Sequence, residues 1–144
     1  MSFIFYIPFI LQAVCMIADE FLYHEKRGLP LWEKIGHPLD TLTVLATYLY
    51  LLIGEFNLSI YISLAAFSCL FITKDEFVHA KNCTGHEHWL HAMLFILHPL
   101  SFLSAYYLVK GGEINFLKVQ SVVIFCFMLY QSLRWSFPWR RQLR

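Results

Sequence analysis

Residues 3–24 read FIFYIPFILQAVCMIADEFLYH: no charged side chain occurs from Phe3 to Ala18, and then Asp19, Glu20 and His24 arrive together. A helix crossing about 30 Å of hydrocarbon needs roughly 20 apolar residues at about 1.5 Å each. The run 3–18 is too short by itself. It reaches that length only if the helix continues through Asp19 and Glu20 to His24, which puts two carboxylates and an imidazole at the edge of the hydrocarbon. With no basic start and no small-residue cleavage pattern, the segment is expected to stay as a helix rather than be removed as a signal peptide.

The rest of the chain reads the same way. Of 144 residues, 58% are hydrophobic, 18% aromatic and only 15% charged, with a mean hydropathy of +0.55; a soluble domain carries about 25% charged residues. Further apolar stretches cover 39–54, 58–73, 90–109 and 116–137, and the third span gains its length by running through Asp75 and Glu76 to His79. The expected fold is all-α: a polytopic membrane helical bundle of about five transmembrane helices, forming a single membrane domain over residues 1–144. Cys15, Cys69 and Cys126 lie in apolar runs and Cys83 has no near partner, so no disulfide framework is expected.

Five alternating spans place Lys26, Arg27, Lys34, Lys74, Lys81, Arg134, Arg140, Arg141 and Arg144 on one side, against Lys110 and Lys118 on the other. The excess of positive charge predicts a cytoplasmic C-terminus and an external N-terminus. A formal net charge of +1 gives no basic field for nucleic acid. The tail from Trp135 to Arg144 reads as an interfacial anchor.

The charged residues recur in order. Asp19-Glu20-Phe21 is followed by His24, then Trp32, Glu33 and His37; Asp75-Glu76-Phe77 is followed by His79, then Glu87, Trp89 and His91. Each set starts at the end of one apolar stretch and finishes at the start of the next. This predicts two tandem helical hairpins, repeat 1 over 3–54 and repeat 2 over 58–109, related by an axis near the membrane normal, plus a fifth C-terminal helix over 116–137.

Residues three or four apart share a helix face, so Glu20 with His24, Glu33 with His37, Asp75 or Glu76 with His79, and Glu87 with His91 each present a carboxylate and an imidazole together. One such couple alone reads as a solvated ion pair. Four at one depth read as a metal site, because ionisable groups cost at least about 2.5 to 3.5 kcal/mol each at the centre of a membrane helix and require a partner. The ligand inventory is similar to that of soluble four-helix dimetal proteins, in which two helices give a Glu and two give a Glu-x-x-His pair. Oxygen and imidazole donors without thiolates predict two divalent ions, iron first, with zinc or manganese as alternatives.

Asp75 and Glu76 are neighbours whose side chains diverge by about 100° around an α-helix, so only one of the two is expected to ligate. Asp40 and His88 are candidates for supporting the ligands from behind. His98, followed by Pro99, reads as a buried histidine bonded to a freed backbone carbonyl, with a role behind the metal or as a haem ligand as alternatives. Gln12, Gln120 and Gln131 read as interhelical hydrogen bonds.

The expected function is a metal-dependent oxidase or hydroxylase at the cytoplasmic face, taking a lipidic or quinone-like substrate from the bilayer and electrons from a separate donor. Alternatives are a zinc-dependent lipid hydrolase, transport or sensing of a divalent metal, a b-type haem protein using His91 or His98 opposite His37, and a structural membrane subunit. No serine-histidine-aspartate signature or glycine-rich phosphate loop competes with the metal reading.

Overall fold

The structure, a computed structural model, describes residues 3–77, 80 and 83–136, without the side chains of Arg27 and Asp75. Among these residues there are helices, turns and bends and no strand. The first helical segment is composite: a 3-10 turn Phe3–Tyr6, helix α1 Ile7–Ala18, a π-helical turn Asp19–His24 and a last α turn Glu25–Arg27. Helix α2 is Leu31–Leu52, α3 is Leu58–Phe71 followed by a 3-10 turn Ile72–Asp75, α4 is Gly85–Lys110 and α5 is Ile114–Ser136.

Two of these helices start well before the apolar runs from which they were read. α2 begins straight after Pro30, whose ψ of 161° is already extended. α4 is opened by a capping box in which the Thr84 and Glu87 side chains each accept from the other's backbone N–H. Glu33, His37, Glu87 and His91 therefore stand in the first two turns of continuous helices. Pro38 and Pro99 lie inside α2 and α4 without ending them, where each removes one helical N–H donor.

The most extensive packing joins α2 to α5, α1 to α4 and α2 to α3. Phe9, Tyr48, Phe102, Leu108 and Leu117 form the apolar core, and the Tyr61 hydroxyl donates to the Phe102 carbonyl at 2.6 Å. Elsewhere the distribution is inverted. Asp19, Glu20, His24, Glu33, Glu87, His91, His98, Gln12 and Gln131 are buried, while Leu70, Val119, Val122 and Leu133 are exposed. Water would disfavour so much exposed aliphatic surface, and hydrocarbon would not.

Among the described residues, three helices are long and apolar enough to cross a membrane: Phe3–His24, Gly85–Lys110 and Ile114–Ser136. Leu58–Lys74 is apolar but shorter.

Gly28 ends the first segment with φ 75° and ψ 164°, a conformation open essentially to glycine alone, and its N–H donates to the His24 carbonyl at 2.8 Å. Gly28→Ala is expected to destabilise the protein by about 1 to 3 kcal/mol through backbone strain. A thermal or denaturant midpoint equal to the parent's would refute this.

Candidate metal centre

The composite first helix explains how two adjacent carboxylates reach one imidazole. In an α-helix Glu20 and His24 share a face at i,i+4, and Asp19 points about 100° away. In the π-helical turn Asp19–His24 the repeat is i,i+5, so Asp19 comes over His24 as well. Asp19 Oδ2 lies 3.2 Å from His24 Nε2, and His24 Nδ1 donates to Glu20 Oε2 at 3.4 Å. From across the bundle, His91 Nε2 on α4 donates to the same Asp19 oxygen at 3.2 Å.

Asp19, His24 and His91, all buried, thus offer three ligand atoms within 4.8 Å of one another. Glu20, His24 and half-buried His37 make a second such group that shares His24, whose ring lies 4.7 Å from that of His37 between centroids. Two buried polar atoms of the first group, Asp19 Oδ1 and His24 Nε2, have no hydrogen-bond partner among the described residues. Leaving such atoms unsatisfied costs about 1 to 3 kcal/mol each.

Glu20 is held from the far end of the chain. Trp135 Nε1 donates to Glu20 Oε1 at 2.7 Å, and Arg134 grips Glu25 with two hydrogen bonds of 2.8 and 2.9 Å. Trp135, expected to be part of an interfacial anchor, also fixes a carboxylate of the cluster; residues 137–144 lie outside the described residues.

The other candidates are distributed around this centre. Glu33 and Glu87 are fully buried, one helical turn before His37 and His91, and Glu87 also caps α4. Glu76 is paired with His88 at 3.4 Å at 46% and 32% side-chain exposure, a surface pair of small energetic weight. The side chain of Asp75 and the whole of His79 lie outside the described residues. Asp40 accepts from Lys74 at 2.5 Å, tying α2 to the turn that follows α3.

His98 differs from its expected partner. Its ring bonds to two side chains, Gln12 at 3.1 Å and Ser68 at 2.9 Å, rather than to a backbone carbonyl. Gln131 makes the expected interhelical bond, accepting from the Thr41 hydroxyl at 3.0 Å.

Asp19 is the residue missed in the sequence. The signal for it was a length difference: five residues separate Asp19 from His24, whereas four separate Asp75 from His79. One extra residue in a helix is accommodated as a π turn, and π turns re-aim side chains.

A cavity of about 210 Å³ adjoins the cluster. Asp19, Glu20, His24, His37 and His91 line it, with apolar walls including Val44, Phe95, Val123 and Phe127. No family model, curated protein or solved structure matches the chain.

Proposed function

We propose that this chain is an integral membrane metalloprotein that holds divalent metal, iron first, at Asp19, His24 and His91, and that it oxidises or hydroxylates an apolar substrate in the adjoining cavity. The observation that carries the reading is the buried Asp19 carboxylate, one oxygen of which stands 3.2 Å from both His24 Nε2 and His91 Nε2 while Asp19 Oδ1 and His24 Nε2 lack hydrogen-bond partners. Two donors bound to one ion at about 2.1 Å each sit about 3.0 to 3.4 Å apart for octahedral to tetrahedral angles. A carboxylate with two imidazoles is also the ligand set of non-haem iron sites that keep positions open for oxygen and substrate.

Bound iron would supply oxygen activation, and hydroxylation balances as R–H, O₂, two electrons and two protons giving R–OH and water, with the electrons from an external donor. The protein's own groups prepare that site. Trp135 holds Glu20, Glu20 accepts from His24 Nδ1, and that bond turns His24 Nε2 towards Asp19, as carboxylates do behind metal-bound histidines. The apolar walls admit a greasy substrate and keep water away.

Glu20 and His37 would hold a second ion. Because His24 is common to both groups, holding both ions would require its ring to give up the Nδ1 hydrogen that Glu20 otherwise accepts. We further read all five helices as spans, with the cluster and C-terminus cytoplasmic and residues 3–54 and 58–109 as a duplicated unit. The charges of α2 support its inclusion, since Asp40 is paired with Lys74 and Glu33 is buried.

Elemental analysis of detergent-purified protein from metal-replete cells tests the reading. About one ion per chain is expected from the first ligand group and about two if the group of Glu20 and His37 is also occupied. Asp19→Asn should carry a small fraction of that amount, and Glu76→Gln the parent's full amount. A parent preparation without metal, or Asp19→Asn with all of it, would sink the proposal.

A further inference from the structure

The carboxylate-histidine cluster occupies only one end of the cavity. Seven residues away along both α1 and α4, about 10 Å of helix, a second polar rung joins the same two helices: Gln12 Nε2 donates to His98 Nδ1 at 3.1 Å. Since an amide nitrogen can only donate, His98 Nε2 carries the hydrogen, and it donates to Ser68 Oγ at 2.9 Å. Ser68 donates to Thr43 Oγ1 at 2.7 Å, and Thr43 to the Asp40 carbonyl at 2.8 Å. This chain crosses four helices and ends on a carbonyl. It fixes one neutral tautomer of His98, with both ring nitrogens engaged.

Gln120 completes this end of the cavity. The Phe9 and Phe116 rings meet edge-on with centroids 5.1 Å apart; Gln12 follows Phe9, and Gln120 follows Phe116, by one helical turn on α1 and α5. Gln12, His98 and Gln120 all line the cavity. Gln120 is half-buried and has no hydrogen-bond partner among the described residues. No lysine or arginine among the described residues lines the cavity.

We propose that Gln12 and Gln120 form a head-group subsite for an uncharged, carbonyl-bearing ring of the quinone class, seated between this end and the cluster. The inference rests on reading the cavity as the substrate chamber. Three features support it. An anionic head would meet no cation here and would bear the full cost of burial. A carbonyl accepts from an amide N–H, whereas a pure hydrocarbon would leave the half-buried Gln120 amide without a partner. The cavity, at about 210 Å³, exceeds the roughly 150 Å³ that suffices for benzene, enough for one substituted ring.

The test uses the full chain in detergent, a benzoquinone bearing a decyl tail, and quenching of tryptophan fluorescence. Saturable binding is expected, with Gln120→Leu weakening it about tenfold, the effect of one hydrogen bond of about 1.4 kcal/mol. The Gln120 side chain bonds to no other described residue, so the change leaves the protein's described hydrogen bonds intact. Decylbenzene, which lacks carbonyls, should bind the parent more weakly than the quinone and be indifferent to Gln120→Leu. Asp19→Asn, depleted of metal, should keep quinone binding, so failure of the metal site and of the subsite are read separately. Parent-level quinone affinity in Gln120→Leu, or decylbenzene binding as tightly as the quinone, would overturn the subsite.

Discussion

His24→Ala is expected to remove metal from the protein almost completely, because His24 is the one residue common to both ligand groups. Loss of a partner that merely orients a ligand costs about 10 to 100-fold in metal affinity, and loss of the ligand itself should cost at least the upper end of that range. His37→Ala touches only the group containing Glu20 and should leave the ion held by Asp19 and His91, whereas His91→Ala strikes the group containing Asp19 and should leave no more than an ion held at Glu20 and His37. Metal titration of the three purified variants gives the ranking, with far-ultraviolet circular dichroism to show that helicity is kept. Should His24→Ala retain as much metal as His37→Ala, the shared-ligand arrangement would be wrong.

Chelation should unfold the protein at a lower temperature, and the shift should be large. A ligand present at about a thousand times its dissociation constant stabilises the folded state by about 4 kcal/mol. Without an ion, Asp19 Oδ1 remains buried with no hydrogen-bond partner among the described residues, which adds a standing penalty of about 1 to 3 kcal/mol. Thermal unfolding in detergent, with chelator and then with ferrous or zinc ion restored, measures the effect. The stabilisation should also fade as pH falls, since His24 and His91 must be unprotonated at the coordinating nitrogen to hold a metal. A midpoint indifferent to chelator, or one that drops equally in Asp19→Asn, would show that the cluster holds no ion.

Much of this centre was legible because charge is expensive in an apolar chain. The positions of Glu20, His24, His37 and His91 at the ends of apolar runs marked them before any coordinates, and the structure brings these four around one space. Glu33 and Glu87 were marked by the same rule and are buried one turn away. Glu76 obeys the same spacing rule through His79 yet pairs with His88 at the surface, because spacing fixes a helix face without saying what that face meets. Asp19 was passed over because α-helical periodicity turns it away from His24, and only the π turn turns it back.

The sequence by itself determined that the chain is helical, that it carries apolar stretches over 3–18, 39–54, 58–73, 90–109 and 116–137, and that its ionisable residues gather at the ends of those stretches. Those properties follow from composition and local periodicity, which each segment carries alone. Only the tertiary structure decided which ends meet. The Asp19–His91 and Gln12–His98 contacts span 72 and 86 residues, and Trp135 reaches Glu20 across 115. Such contacts depend on which helices become neighbours and on the register between them. Those are set by the summed packing of all five helices, which no single stretch of sequence encodes.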